Sequence, residues 1–108
     1  MKIIQQYAIV LVNFDPTVGS EIKKTRPCVV ISPNEMNKHL KTIVIAPITS
    51  TSKRYPTRIQ ISSNLTKGWI VVDQTRVIDR QRVVKQLGDL KSEEIVELKA
   101  VIKETYVD

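Results

Sequence analysis

The 108-residue sequence holds a single cysteine, Cys28, and a single histidine, His39. One thiol forms no internal disulfide, and there is no Cys/His cluster with which to hold a structural zinc. Glycine occurs only at positions 19, 68 and 88. Hydrophobic runs nevertheless recur along the whole length, which excludes a disordered or low-complexity chain. Aromatic side chains are few: Tyr7, Phe14, Tyr55, Trp69 and Tyr106. No apolar run approaches the roughly 20 residues of a membrane span, and the start lacks a signal-peptide core, so a soluble, cytoplasmic protein is expected. The usual nucleophile–base pairs are scarce as well. Cys28 lies within an apolar strand run, where a thiol is inert core, and His39 lies in a polar stretch, 34–41, that reads as a solvated loop.

What is present is enough for one ordinary core. With 42% hydrophobic residues, a chain of this length is read as one domain spanning 1–108 that needs no staple to fold. Its charge is uneven. The net +6 divides into a segment from Ser92 onward with five acids and two bases, net −3, and the remainder with fifteen bases and six acids, net +9. A basic body with an acidic terminal element suits phosphate groups or an acidic protein partner.

Short runs rich in β-branched residues at Ile9–Phe14, Cys28–Ile31, Ile43–Ile48, Arg58–Ile61 and Trp69–Val72, with a weaker one at Arg82–Leu87, read as strands separated by turn chemistry. The last segment reads as an amphipathic helix over about 92–106. Ser92 stands as N-cap, Glu93 and Glu94 lie at the positive end of the helix dipole, and Ile95, Leu98, Ile102 and Tyr106 recur at spacings of three and four. Its acids are expected to face solvent. Five or six short strands followed by one helix exclude a crossover α/β fold and favour a small, strongly bent antiparallel barrel, about 7–90. Runs such as Trp69-Ile70-Val71-Val72 lack in/out alternation, so both faces should be covered, by the helix or by a second subunit.

Polar groups gather at the strand ends. Arg26 precedes Pro27, which favours an extended backbone and presents a planar, fully charged guanidinium. Thr49 closes another strand just after Pro47, and Asp73-Gln74 closes a third. In a small barrel such ends meet at the rim.

These pieces stand in the order of a known family. The run from Phe14 to Glu21, with Gly19-Ser20-Glu21, then Thr25-Arg26-Pro27-Cys28-Val29-Val30, resembles the N-terminal signature of MazF/PemK-type toxins. Ala46-Pro47-Ile48-Thr49-Ser50, Tyr55-Pro56-Thr57, Gly68, Asp73-Gln74 and the run from Ile78 to Arg82 are similar to its later motifs, so the resemblance covers about residues 7–106. It implies an SH3-like barrel with a C-terminal helix, a homodimer, and an mRNA interferase: a metal-independent hydrolase of the nuclease kind, without cofactor, that cuts single-stranded RNA. It also implies neutralisation by an acidic antitoxin with a disordered tail, which a +9 body suits.

Cleavage in that family proceeds by attack of the ribose 2′-OH on the adjacent phosphate, giving a 2′,3′-cyclic phosphate and a 5′-OH. The resemblance assigns Arg26 to stabilising the phosphorane and Thr49 to donating to a non-bridging oxygen, with Glu21 and Asp73 as the carboxylates available for proton transfer. Some members carry a histidine at the Ser20 position and an arginine just before the Asp-Gln pair. This chain has Ser20 and Val71-Val72 there, so an Arg/Thr form of the chemistry is expected. RNA contacts are expected from Ser20, Lys23, Lys24, Ser50, Thr51, Lys53, Arg54, Gln74, Arg76 and Arg82, with little aromatic stacking. The alternative is a gyrase poison of the CcdB kind, which shares the fold, acts by protein contacts and has no use for Arg26 or Thr49.

Overall fold

The first strand sets the pattern for the molecule. In β1, Ala8–Asn13, the residues Ala8, Val10 and Val12 point to one face and Ile9 to the other, and all four are buried. Sheet side chains alternate with a period of two, so a strand buried on both faces must lie between two apolar layers. The computed structural model describes residues 3–14, 25–51, 55–63 and 66–107, and both layers are found in it.

β1 pairs antiparallel with β2, Thr25–Val30, and with β7, Val83–Asp89. β2 pairs with β3, Thr42–Thr49, whose other edge takes β5, Thr66–Val71, and β6, Arg76–Asp79. β4, Arg58–Ser63, pairs with β5. The order is β4-β5-β3-β2-β1-β7. Every pairing is antiparallel, and the sheet curls into a half-barrel whose end strands are β4 and β7. The expected bent antiparallel architecture with a C-terminal helix is what forms.

On one face Ile9, Val29, Ile48, Ile59 and Ile70 pack with Leu98 of the helix α2, Ser92–Ile102. Leu98 is fully buried, a contribution of about 1.5–3 kcal/mol. Ile95 and Ile102 flank it, as their spacing requires. On the other face Val10, Val12, Cys28, Val30, Ile43, Ile45 and Ile78 form a second cluster, against which Phe14 and Val83 pack.

Four local expectations are corrected. Residues 34–41 are not all loop: α1 runs Asn34–His39. Its middle is tied down by Asn37, which is buried, takes a hydrogen bond from Ser32 Oγ at 2.6 Å and donates to the Ser32 carbonyl. His39 is exposed and lies 3.6 Å from Glu35. Secondly, Val72 ends no strand but opens a 3-10 turn, Val72–Gln74, which leads into β6. Thirdly, Lys91 occupies the N-cap position and Ser92 is the first helical residue; the cap comes from Glu94, whose Oε1 accepts from the Lys91 N–H at 2.9 Å. Finally, Glu94 does not face solvent. It is buried, and its Oε2 accepts from the Ser62 N–H at 3.1 Å, fastening the helix start to the outer edge of β4. Beyond Ile102 the chain continues in a wider π turn, Lys103–Val107. No described helix is long and apolar enough to cross a membrane.

Candidate active site

Pro47 has no N–H to give to a ladder, and β3 changes partner around it. Up to Ile45 its outer edge pairs with β6, where Ile45 faces Arg76; from Ile48 onward it pairs with β5. The chain between those two strands is the 3-10 turn, and it delivers Gln74 and Arg76 over Pro47. On the opposite edge of β3, Pro47 faces Cys28, so Arg26 and Thr49 each lie two residues beyond that pair, on the same face of the sheet.

A cleft of about 370 Å³ opens here, lined by Phe14, Arg26, Pro47, Gln74 and Arg76. The guanidinium of Arg76 lies over the Phe14 ring, 4.9 Å from its centroid, which fixes the charge at the cleft wall. Arg26 is exposed at the mouth. The Cys28 thiol beneath registers both cations. Burial pushes it up to about 12, while Arg26 and Arg76 each draw it down, so both guanidinium groups lie within electrostatic reach of one sulfur. Two guanidinium groups at one polar hollow, that of Arg76 held over Phe14 and that of Arg26 exposed, offer the donor forks that suit phosphate oxygens.

The turn carrying Gln74 is braced from two sides. Tyr106 donates its hydroxyl hydrogen to the Val72 carbonyl at 2.7 Å and lies 3.0 Å from Thr75 Oγ1. Asp73 accepts from Thr57 Oγ1 at 2.9 Å and from Arg58 Nε at 3.1 Å. The hydrogen bond from Arg58, aided by Thr57, holds the Asp73 carboxyl below its ordinary value despite the opposing effect of burial. Arg58 in turn lies over the Tyr55 ring at 5.1 Å. Thr49 is half-buried, and its hydroxyl donates to the Thr51 carbonyl at 3.0 Å.

Of the residues singled out in the sequence, Arg26, Gln74 and Arg76 thus meet in one cleft, and Thr49 adjoins it on β3. Asp73 stands behind the turn, committed to Arg58 and Thr57. Thr51 serves Thr49 through its backbone, and Ser50 lines a separate groove beside Trp69. Arg82 is turned to the end of β1, where it donates to the Asn13 carbonyl at 3.2 Å. Ser20, Glu21, Lys23, Lys24, Lys53 and Arg54 lie outside the described residues. In the sequence Phe14, Thr57, Arg58 and Tyr106 have places in motifs, a strand and the helix but no expected role at the site, where they hold the groups that were expected there. The motif run that begins at Phe14 and the Tyr55-Pro56-Thr57 turn were the signals pointing toward them.

A family model described as PemK-like, MazF-like toxin of type II toxin–antitoxin system matches residues 5–106. An endoribonuclease toxin MazF of Escherichia coli is 36% identical over 95 residues, covering 87% of this chain and 86% of the relative. A Staphylococcus epidermidis endoribonuclease MazF is 28% identical over 101 residues, covering 88% of this chain and 84% of the relative. Among solved structures, MazF of Deinococcus radiodurans superposes with a TM-score of 0.83 over the full length of both chains at 24% identity. A MazE–MazF complex from the same organism gives 0.82 at 26% identity over 96% of each chain. By the match over almost its whole length, this chain belongs to the PemK-like, MazF-like toxins of type II toxin–antitoxin systems.

Proposed function

We propose that the chain is the toxin of such a pair and an endoribonuclease that cuts single-stranded RNA by internal transesterification. The observation that carries the reading is the cleft in which Arg26 and Arg76 face one hollow beside Thr49. The relatives named endoribonuclease support it.

In this reading the phosphate to be cut lies between Arg26 and Thr49. The ribose 2′-oxygen attacks phosphorus as its proton passes to a carboxylate; the O2′–P bond forms, the bond to the 5′-oxygen breaks, and that oxygen takes up a proton. The products are a 2′,3′-cyclic phosphate and a 5′-OH. The charge that grows on the non-bridging oxygens is met by the Arg26 guanidinium, and Thr49 adds a hydroxyl donor once it leaves the Thr51 carbonyl. In this reading the permanently charged guanidinium groups supply the stabilisation and no metal ion is called for. Asp73, held ionised by Arg58 and Thr57, is a weak base and serves to set the turn carrying Gln74. Proton acceptance therefore falls to Glu21, the other carboxylate of the set. Gln74 and Arg76 hold the strand at the cleft, and the charges of Lys23, Lys24, Lys53 and Arg54 add to the attraction of the chain for the RNA backbone.

The partners follow from the same charge. An acidic antitoxin segment competes with RNA for the basic rim, in keeping with related toxin structures solved with their antitoxins. A second copy of the chain covers the apolar surface beside the end strand β7. There Ile3 and Val84 are 67% and 54% exposed, and a groove of about 260 Å³ runs between Ile4, Val10 and Val83. The protein works in the cytoplasm, where its RNA substrate is. A gyrase poison would need neither Arg26 nor Thr49 and gains no support from these relatives. The test is cleavage of single-stranded RNA in EDTA, with analysis of both new ends: a cyclic phosphate and a 5′-OH are expected, and intact RNA after prolonged incubation refutes the reading.

A further inference from the structure

Across the sheet, cross-strand partners share a face. Thr49 of β3 faces Trp69 of β5, and Trp69 faces Gln60 of β4. Their neighbours Ile48, Ile70 and Ile59 are all buried in the core on the other side. Thr49, Trp69 and Gln60 therefore form one row on the face that also carries Arg26. Adjacent strands lie about 5 Å apart, so the indole begins one strand spacing from Thr49.

A second groove, of about 500 Å³, opens beside this row, lined by Ser50, Gln60, Ser62, Lys67, Gly68 and Trp69 together with Ile61 and Glu94. Its size falls in the range of small-ligand sites, roughly 300–1,000 Å³, and its lining has one flat aromatic wall, amide and hydroxyl groups, the Lys67 ammonium and the Glu94 carboxylate, whose oxygens accept from the Ser62 and Lys91 N–H groups. Gly68 sets the spacing of the two strands at one end of it. A Cβ there would stand 2.5 Å from the Thr49 carbonyl oxygen, so β5 approaches Thr49 closely only because position 68 has no side chain.

The other aromatic side chains are engaged. Phe14 carries Arg76, Tyr55 carries Arg58, Tyr7 faces Lys99 at 5.8 Å and Tyr106 is hydrogen-bonded to Val72. Among the described residues, Trp69 has neither a cation over its ring nor a hydrogen-bonded partner, although it is only half-buried.

We propose that this groove is a nucleobase subsite: one base of the RNA, next to the cleaved phosphate, stacks on Trp69, its edge read by Gln60 and Ser62 and its phosphate met by Lys67. Stacking on an aromatic plane tolerates any base, and the amide and hydroxyl groups around it supply the choice. The subsite rests on the endoribonuclease reading, and it makes Trp69 a specificity residue with no part in the bond-breaking step.

Trp69 is the only tryptophan in the chain, so its emission reports the subsite directly. Arg26→Ala protein, which is not expected to cut, is titrated with a fluorescein-labelled single-stranded RNA of mixed sequence, and anisotropy and tryptophan emission are read together. Quenching in step with the rise in anisotropy is expected. Saturating anisotropy with unchanged emission overturns the proposal, and this arm needs no substitution in the groove.

In parallel, wild type, Trp69→Phe and Trp69→Ala cut a randomised RNA pool and the new 5′ ends are sequenced. Trp69→Ala should bind RNA about 5- to 150-fold more weakly and lose base preference at one position beside the cut, while Trp69→Phe keeps it. An unaltered preference in Trp69→Ala also overturns the subsite. A wild type that cuts no RNA sinks the endoribonuclease reading itself, and with it the subsite, which separates the two failures.

Discussion

Gly68→Ala is a one-carbon change whose effect should reach the cleft. Gly68 has φ +155°, a conformation side chains rarely adopt, and a Cβ built on it stands 2.5 Å from the Thr49 carbonyl oxygen and 2.9 Å from Ile48 Cγ2. To reach even a tight contact of 3.0 Å, that carbonyl must retreat by about 0.5 Å, and the Ile48 methyl must move within a filled core. Overpacking of this kind costs roughly 1–3 kcal/mol and backbone strain a similar amount, so a loss of about 2–5 kcal/mol is expected. That is a large part of the 5–15 kcal/mol that holds a typical domain together, and it should lower the melting temperature by roughly 10–20 °C. Because the displaced atom belongs to Thr49, cleavage by the folded fraction should also slow, by up to about a hundredfold. Urea unfolding gives the first quantity, and single-turnover cleavage well below the transition gives the second. An unchanged urea midpoint refutes the steric reasoning. A lowered midpoint with an unchanged rate refutes the link between Gly68 and the placement of Thr49.

Two further outcomes follow from the titrating groups. The Asp73 carboxyl is held below its ordinary 3.8, chiefly by Arg58. Its contribution is therefore complete at neutral pH and disappears as the pH falls from about 4 through the lower folded value. Its side chain is 38% exposed, so Asp73→Asn should cost at most about 1 kcal/mol at pH 7 and nothing below that window, as urea midpoints measured from pH 7 to 2 would show. A cost that persists undiminished at pH 2 contradicts the ion-pair origin. The Cys28 thiol, raised to about 12 by burial, should resist iodoacetamide at pH 8 in the native protein and react once the chain is unfolded in urea; rapid native labelling, followed by mass spectrometry, contradicts its placement in the core.

The strands were legible where β-branched residues run together. β1 through β3 need both faces covered, and Ile9 against Val10 or Ile45 against Ala46 carry that signal residue by residue. β6 was not legible because Arg76-Val77-Ile78-Asp79 is four residues long and only Ile78 is buried. α1 was hidden for a different reason. Asn and His are weak helix formers, and the helix is held from outside: Arg80 donates to the Asn37 carbonyl at 2.8 Å and Ser32 Oγ accepts from the Val44 N–H, contacts that no local pattern contains. Glu94 misled for the same reason, since a carboxylate on a helix reads as solvated until the edge of β4 is known to need an acceptor.

The site shows the same division. Arg26 before Pro27 and Thr49 at a strand end stood out only weakly by position and chemistry, and it was the family resemblance that made them candidates. The commitment of Asp73 to Arg58, the Phe14 ring beneath Arg76, and Tyr106 behind Val72 join residues 15, 62 and 34 positions apart, and only the curled sheet brings them together.

The central claim, that Arg26 breaks RNA with the help of its strand-end neighbours, is tested most directly by incubating wild type and Arg26→Ala with one 5′-labelled single-stranded RNA in EDTA. The expected result is cutting by wild type to a 2′,3′-cyclic phosphate, and no cutting by an Arg26→Ala protein that keeps the wild-type circular dichroism. RNA left whole by wild type, or cut equally by the folded variant, would contradict it.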